Sequence, residues 1–107
     1  MKFPDSIDPA SLATELAASR ARSTQITCDL LGERLLGPKL AIVNPPLWEI
    51  GHVAWFQEHW CLRYREPDAI AASIQPGADA LYDSAKVAHD TRWDLPLPGI
   101  GQTRAYQ

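Results

Sequence analysis

The chain has 107 residues and a mass of 11.9 kDa, which is enough for one small domain. Apolar residues make up 46% of the chain, and four Trp, three Tyr and two Phe argue against disorder. Ten basic and thirteen acidic residues give a net charge of −3, which argues against binding to nucleic acid or to an anionic membrane. The sequence has neither a membrane-spanning apolar run of ~20 residues nor a secretory signal, so we expect a cytoplasmic protein.

The two cysteines, Cys28 and Cys61, form no Cys-x-x-Cys pair, so neither zinc-ribbon nor thioredoxin-like chemistry is indicated. Free cysteine is among the most often buried residue types. We therefore expect two small buried thiols.

The first predicted helix covers residues 9–36. Asp8 is a suitable N-cap, and Pro9 suits the first helical position. Small and apolar side chains then recur at spacings of three and four residues, and Gly37 ends the pattern. The recurring positions are Leu12, Leu16, Ser19, Ser23, Ile26 and Leu30. This pattern is typical of a long amphipathic helix.

A second helix is predicted from Pro45 to Arg65, because Asn44 can cap it and Pro67 prevents its continuation. Apolar residues lie on nearly every side of this helix. A helix of that kind is buried on most sides, so we expect it to be the central element of the domain.

The remainder of the chain is interrupted by proline and glycine. One or two helical turns are predicted within residues 68–75, followed by a long ordered loop over residues 77–101. Residues 101–107 are expected to begin a further helix. The predicted anchors of the loop on the core are Trp93, Leu95 and Leu97.

These elements predict an all-α fold in which two long helices, a long loop and the start of a third helix form an incomplete bundle. The second helix has more apolar surface than the first can cover. The chain therefore either self-associates or is the front part of something larger, and we favour the second interpretation.

His52 and His59 share one face of the second helix but are seven residues apart. That spacing separates them by ~10.5 Å along the helix axis. Histidines that bind one metal from a helix are three or four residues apart, so at most one of these two belongs to a given site. A lone histidine on an aromatic helix face is more often a hydrogen-bonded core residue than a ligand.

Neighbouring residues on the second helix help to distinguish a packed core histidine from a metal ligand. Gly51 costs about 1 kcal/mol relative to Ala inside a helix, so it indicates close approach by another backbone or by a ligand. Glu49 and Glu58 are candidate carboxylates for supporting a metal ligand, although a solvated helix face explains them equally well.

A second candidate cluster runs from His89 to Trp93 in the predicted loop. A histidine, a carboxylate and a guanidinium so close together suit the binding of an anionic or polar small molecule, because Arg pairs with carboxylates. The alternative, in which Asp90 and Arg92 brace the loop while Trp93 fills the core, is equally consistent with the sequence. No phosphate loop or nucleophile elbow supports hydrolase chemistry.

Residues 44–60 resemble the iron-ligand helix of the ergothioneine-type sulfoxide synthases, which are non-heme iron enzymes. In that family a DinB-like up-and-down helical bundle precedes a formylglycine-generating-enzyme-like domain. The hallmark residues of the helix are present here as Pro46, Trp48, Gly51, His52, Trp55 and Phe56. The segment from Leu81 to Ser84, with Val87, is similar to an aromatic-Asn-Ser loop of the same family.

The resemblance implies that His52 is one of three histidines that bind a catalytic Fe(II). The family's other two ligands form a His-x-x-x-His pair on a later helix, and no two histidines here are four apart. The family's catalytic Tyr and most of its substrate pocket belong to the C-terminal domain. Residues 1–107 would therefore be the N-terminal part of a DinB-like domain, with an incomplete iron site and no catalytic competence alone.

The resemblance also implies the substrates, which are hercynine, O2 and a thiol or selenosugar donor. The O2-dependent reaction would form a carbon–sulfur or carbon–selenium bond between the donor and hercynine. Relatives that use gamma-glutamylcysteine carry an Arg-x-x-Arg pair in the loop that here contains His89 and only one arginine, Arg92. Arg92, with His89, is then expected to help bind the donor. With its single arginine, this loop is more similar to that of the selenoneine-synthase branch. The residues do not decide whether the donor atom is sulfur or selenium.

Two other functions remain open from the sequence. One is a non-catalytic or degenerate DinB-like module, in which His52 is merely packed and a homodimer covers the second helix. The other is a DinB-like thiol-dependent transferase, which needs the same later histidine pair but no formylglycine-generating-like domain. A downstream His-x-x-x-His would favour an enzyme over the module.

Overall fold

The computed structural model describes residues 8–107, and the chain divides into two compact units, Met1–Leu30 and Leu31–Gln107. The described residues are mostly helical, which confirms the predicted all-α fold class. None of the helices in residues 8–107 is long and apolar enough to span a membrane.

The first unit contains helix α1, Pro9–Thr27. Its N-cap is Asp8 as predicted, because the carboxylate accepts a hydrogen bond from the Ala10 N–H at 3.1 Å. The predicted extension to residue 36 is wrong. The Thr27 hydroxyl bonds back to the Ser23 carbonyl at 2.8 Å, and the chain leaves the helix directly afterwards.

Leu31 and Gly32 explain why the helical pattern does not continue to residue 36. Leu31 is extended, and Gly32 has a φ of +57°, which is outside the range of a right-handed helix. Residues Gly32–Leu35 then form a single 3-10 turn.

Helix α2, Pro46–Glu58, is the central element of the second unit, and a π-helical turn, His59–Arg63, extends it. The expectation that α2 is buried on most sides is wrong. Its buried side chains include Leu47, Trp48, Ala54 and Trp55. Large apolar side chains on the opposite side of this segment are exposed, namely Val53, Phe56, Trp60 and Leu62.

A short hairpin follows the π-turn, where helical turns were predicted over residues 68–75. Strands β1, Tyr64–Glu66, and β2, Ala69–Ile70, pair antiparallel. Pro67 disfavours a helical conformation at the residue before it. The Ala71 N–H donates to the Arg63 carbonyl at 3.0 Å and closes the hairpin instead.

The predicted loop over residues 77–101 contains two short elements that the sequence did not reveal. Helix α3, Ala78–Tyr82, begins after Gly77, whose φ is +80°, and a 3-10 turn covers His89–Thr91. Helix α4, Ile100–Tyr106, matches the predicted further helix.

The core of the second unit lies between α2, α3 and α4. Its buried residues are Trp48, Trp55, Ala78 and Tyr82, and the partly buried side chains packed against them are Leu81, Leu95, Leu97 and Tyr106. Leu95 and Leu97 are thus loop anchors, as predicted. The Trp93 indole is half-buried and donates a hydrogen bond to the Leu36 carbonyl at 3.1 Å.

Both cysteines are exposed, so the expectation of buried thiols is wrong. Cys28 directly follows α1, a helix that buries none of its residues. Cys61 lies between the exposed Trp60 and Leu62 on the π-turn.

Gly51 is the position where α2 admits a close neighbour, as the sequence indicated. A Cβ added there would overlap the Tyr82 ring and would lie 2.6 Å from its hydroxyl oxygen. We expect Gly51→Ala to lower the free energy of unfolding by about 1–3 kcal/mol, the usual cost of overpacking a core. Urea titration followed by tryptophan fluorescence measures the change.

The matched control is Gly101→Ala in α4, where an added Cβ meets nothing within 4 Å. We expect that variant to unfold at the same urea concentration as the parent chain or slightly higher, because Ala has the better helix propensity. Equal midpoints for the two variants would contradict the close approach of Tyr82 at Gly51.

Candidate functional site

The His52 side chain is half-buried on α2, and its Nδ1 lies 2.8 Å from the Tyr82 carbonyl oxygen. A carbonyl oxygen can only accept, so the hydrogen must be on Nδ1. The neutral ring then carries its lone pair on Nε2. This is the tautomer in which a metal-binding histidine uses Nε2, with the other nitrogen held by a backbone carbonyl.

Two further contacts fix the plane of the His52 ring. Trp48, one helical turn earlier, stacks on it with a centroid separation of 4.7 Å and an interplanar angle of 9°. The Trp48 indole N–H donates to the Leu81 carbonyl at 2.7 Å. The C-terminal end of α3 therefore supplies two adjacent carbonyls, from Leu81 and Tyr82, that orient Trp48 and His52 together.

The His52 ring borders an open pocket whose other lining residues are Val53, Phe56 and Gln57. These neighbours offer no carboxylate or second imidazole. Within residues 8–107, no group of three or more His, Cys, Asp or Glu side chains could hold a metal ion. The residues present thus fit one imidazole ligand of a metal and do not fit a complete ligand set.

His59 occupies a different environment on the π-turn. Its Nδ1 is buried and has no hydrogen-bond partner among the described residues. The Trp55 indole packs against both histidines, with centroid separations of 6.0 Å to His52 and 4.8 Å to His59.

Arg92 is buried, and its guanidinium is bonded to acceptors within the second unit. Nε and Nη2 donate to the Val87 carbonyl at 3.2 and 2.8 Å, and Nη2 also donates to the Ser84 carbonyl at 3.3 Å. Nη1 donates to Asn44 Oδ1 at 3.0 Å, just before α2 begins. The guanidinium carbon also lies 4.0 Å from the centroid of the Trp48 ring. These contacts favour the alternative in which Arg92 braces the loop.

His89 lies beside the same loop, with its Nε2 2.6 Å from the Val43 carbonyl oxygen. Its ring meets the edge of the Trp93 ring at a centroid separation of 5.1 Å. Substrate binding by His89 and Arg92 stays a prediction.

A polar network at the π-turn, in which Arg63 and Glu58 are buried and Asp79 is exposed, was missed by sequence reasoning. Arg63 is buried and pairs with both oxygens of Asp79, Nη1 to Oδ1 at 2.8 Å and Nη2 to Oδ2 at 2.9 Å. The Trp55 indole N–H donates to the same Oδ1 at 2.7 Å. Arg63 Nη1 also lies 3.7 Å from Glu58 Oε1, which links two carboxylates through one guanidinium.

Glu58 is only 7% exposed, so the interpretation of a solvated helix face is wrong for this residue. Its Oε1 accepts from the Ser73 hydroxyl at 2.6 Å and from the Tyr106 hydroxyl at 2.8 Å. Its Oε2 accepts from the Ile74 N–H at 2.8 Å. Glu49 also has a local role, because its Oε1 accepts from Asn44 Nδ2 at 2.6 Å.

The network shifts the pKa values of its members. Hydrogen bonds from Arg63 lower the pKa of Asp79 to about 2, against the opposing effect of burial. Burial by itself would raise the pKa of Glu58, but hydrogen bonds from Ser73, Ile74 and Tyr106, with the charge of Arg63, bring it below its ordinary value. Burial raises the pKa of Tyr106.

The two lowered pKa values predict the acid stability of the chain. A carboxyl whose pKa is lower in the folded state stabilises the protein above its unfolded pKa, roughly 3.9 for Asp and 4.3 for Glu. This stabilisation is lost as the pH falls through the folded pKa, which is about 2 for Asp79. The urea midpoint is expected to stay level from neutral pH to about 5 and to fall below about 4, and solvent screening limits the contribution of Asp79 because its side chain is 60% exposed.

Asp79→Asn tests the assignment, because it removes the charge that Arg63 pairs with. We expect this variant to have a lower urea midpoint than the parent chain at neutral pH. Its midpoint should also decrease less than the parent's as the pH is lowered. Asp90→Asn, at an exposed carboxyl of the 3-10 turn, is the matched control and should behave as the parent does. An Asp79→Asn chain with the parent's neutral-pH midpoint would contradict the network.

Comparison with known proteins finds no matching family model but several similar curated proteins. The chain is 29% identical over 98 residues to hercynine oxygenase of Mycobacterium tuberculosis, covering 92% of this chain and 23% of that protein. It is 32% identical over 98 residues to hercynine oxygenase of Mycolicibacterium smegmatis, covering 90% of this chain and 22% of that protein. It is 27% identical over 97 residues to hercynine oxygenase of Mycolicibacterium thermoresistibile, covering 91% of this chain and 21% of that protein. The chain is therefore similar, along most of its length, to about a fifth of proteins named hercynine oxygenase.

Proposed function

We propose that this chain is the N-terminal part of an Fe(II)- and O2-dependent enzyme that forms a carbon–sulfur or carbon–selenium bond on hercynine. The observation that carries the proposal is the His52 imidazole, held at Nδ1 by the Tyr82 carbonyl at 2.8 Å with Nε2 left to bind a metal. Similarity to proteins named hercynine oxygenase over about nine-tenths of the chain supports it. The helical second unit would then be the front of a DinB-like bundle.

His52 would be one of three neutral imidazoles, and the other two would come from sequence beyond these 107 residues. Three imidazoles leave open positions on Fe(II) for oxygen and for the chalcogen donor. When bound, the iron would supply the oxidative chemistry that joins sulfur or selenium to hercynine.

The residues of this chain would set the orientation of that ligand. The Tyr82 carbonyl fixes the tautomer of His52, and the stacked Trp48 ring limits rotation of the imidazole. Gly51 allows the Tyr82 ring to approach α2 closely enough for the carbonyl to reach. A ligand held in this way needs little reorganisation when the metal binds.

His89 and Arg92 are proposed to lie on the donor side of the substrate pocket. Four of the five N–H groups of Arg92 are used within the described residues, by the Val87 and Ser84 carbonyls and by Asn44. Arg92 would therefore offer one N–H to a donor, not a full guanidinium fork. This supports a donor with less negative charge than a doubly charged peptide thiol, such as a selenosugar.

A reducing cytoplasm is the compartment that fits this proposal. Cys28 and Cys61 are both free and exposed, and exposed thiols persist unpaired in reducing compartments.

A second candidate function is a non-catalytic helical module that self-associates. The observation in its favour is the exposed apolar surface of α2 and the π-turn, where Phe56 and Trp60 are each about half exposed. In this alternative a second copy would cover that surface, and His52 would serve only as a packed core residue.

His52→Gln in the protein purified from its own cells tests the metal assignment directly. Loss of one of three ligands is expected to lower the iron content per chain several-fold, measured by inductively coupled plasma mass spectrometry. The matched control is His59→Gln, a histidine two turns away that would not bind the metal. Unchanged iron in the His52 variant, with normal circular dichroism, would overturn the assignment.

The same preparations identify the donor. Each preparation is incubated with hercynine and O2 and with either gamma-glutamylcysteine or a selenosugar as the donor. We expect mass spectrometry to detect a coupled product with the selenosugar. Product from the peptide thiol alone would contradict the proposed donor while leaving the iron assignment intact.

A further inference from the structure

The π-turn, His59–Arg63, determines which side chains of this segment face the core. The backbone N–H of Tyr64 donates to the carbonyl of His59, five residues earlier, where an α-helix would use the residue four earlier. Residues five apart therefore approach one another in the π-turn, whereas in an α-helix they lie about 140° apart around the axis. Glu58 and Arg63 are such a pair, with Oε1 of the first 3.7 Å from Nη1 of the second. The π-turn thus favours this ion pair.

The buried side of α2 predicts a different set of inward side chains for the π-turn. Its buried residues recur at the α-helical spacings of three and four, and they are Leu47, Trp48, Gly51, Ala54, Trp55 and Glu58. Continued in an α-helix, this spacing places Cys61 and Leu62 on the buried side and Arg63 outside. The structure shows the reverse, because Arg63 is 5% exposed, Leu62 is 69% exposed and Cys61 is exposed. One extra residue in the turn exchanges them.

Two sets of interactions favour opposite registers of this segment. Burial of Cys61 and Leu62 favours an unbroken α-helix, because it removes apolar side chains from water. Polar contacts favour the π-turn, because they hold Arg63 on the core side. Its Nη1 and Nη2 donate to Asp79 at 2.8 and 2.9 Å, and its Nε donates to the Ala71 carbonyl at 2.7 Å. The chain therefore contains the determinants of two registers that differ by one residue.

Glu58 links this balance to α4. Its Oε1 accepts from the Tyr106 hydroxyl at 2.8 Å, so docked α4 helps to cover the carboxylate, which is only 7% exposed. A buried carboxylate is stabilised by a nearby cation, here the guanidinium of Arg63. Release of α4 would open Glu58 to water, where it needs no cation. The inward position of Arg63 is then favoured less.

We propose that the π-turn segment has two registers and that docking of α4 selects between them. In the π register, with α4 docked, Arg63 lies on the core side. In the α register, with α4 released, α2 continues as an unbroken α-helix and buries Cys61 and Leu62 instead. The slip is one residue long and exchanges only hydrogen bonds and packing contacts. It needs no metal at His52, so it is independent of the proposed function.

The slip changes the surface on the exposed side of α2. In the π register that surface is apolar and includes Phe56, Trp60 and Leu62. In the α register Leu62 leaves it. Arg63 then lies three residues after Trp60 and seven after Phe56, on their side of the helix. The position of α4 therefore decides whether this surface is apolar or carries a positive charge.

Cys61 reports the register, because its thiol is exposed in the π register and covered in the α register. Cys28 is exposed and lies outside this segment, so it serves as the internal reference. The chain is treated with iodoacetamide, and the labelling rate of each cysteine is followed by peptide mass spectrometry. We expect Arg63→Gln to lower the rate at Cys61 relative to Cys28 several-fold. Arg65→Gln, at an exposed position of β1, is the matched control and should leave the ratio unchanged.

The direction of the change distinguishes a slip from unfolding, because an unfolded chain exposes both thiols and cannot lower the Cys61 rate relative to Cys28. Tyr106→Phe tests selection by α4, since it keeps the aromatic ring and removes the hydroxyl that bonds to Glu58. We expect it to lower the ratio by less than Arg63→Gln does. An unchanged ratio in a folded Arg63→Gln chain would overturn the two registers. An unchanged ratio in Tyr106→Phe would overturn the role of α4.

Deletion of Leu62 tests the extra residue directly and does not require Arg63→Gln to fold. It places Arg63 four residues after Glu58, which is the α-helical spacing for an ion pair. We expect the shortened chain to keep a urea midpoint close to that of the parent chain. Deletion of Val53, an exposed residue earlier in α2, is the matched control and should lower the midpoint strongly, because it puts the two halves of the buried side out of register. Equal losses from the two deletions would overturn the second register.

Discussion

The docking of Tyr82 against α2 is the contact on which the candidate site depends. The ring of Tyr82 is fully buried and occupies the space that a side chain at position 51 would take. Its backbone carbonyl then reaches Nδ1 of His52, and the neighbouring carbonyl of Leu81 reaches the indole of Trp48. Gly51 lowers the helix propensity of α2, but it allows α3 to come close enough to orient Trp48 and His52 of α2.

The polar network at the π-turn stabilises the other end of the same core. Arg63 joins Asp79 at the start of α3 to Glu58 at the end of α2, and Tyr106 of α4 bonds to the same Glu58. Arg63 and Glu58 are buried, so removal of a hydrogen-bond partner of either leaves a buried charged group with fewer partners, whereas the Asp79 side chain is itself exposed. Three helices of the second unit are held together by this one network.

Local sequence signals predicted the start of α2, the close approach at Gly51 and the position of α4, because each depends on residues near one another in the chain. The ends of the long helices were not predictable in the same way. Amphipathic spacing continues past Thr27, where α1 ends, but Leu31 is extended and Gly32 has a positive φ, so residues 28–36 do not extend the helix. Likewise, the sequence favours a continuous helix as far as Arg65, whereas the structure forms a π-turn over His59–Arg63 and a hairpin from Tyr64 onward.

The roles of the charged residues depend on contacts distant in sequence. Arg92 bonds to Asn44, which is 48 residues away, so the sequence leaves ligand binding and loop bracing equally open. Glu58 and Tyr106 are also 48 residues apart, and nothing in either local segment indicates that they meet. His52 was singled out by the resemblance of its helix, whose hallmark residues include Trp48 and Gly51 close to it in the chain.

Similarity to hercynine oxygenases extends along most of this chain but over only about a fifth of those proteins. The central claim is that His52 belongs to an iron site completed by residues outside the chain. A native mass spectrum of the protein from its own cells tests this most directly, because it reports chain mass and bound metal together. We expect a chain several times heavier than 11.9 kDa carrying one iron. A metal-free species at 11.9 kDa, or at a whole multiple of it, would contradict the account and leave a self-associating helical module.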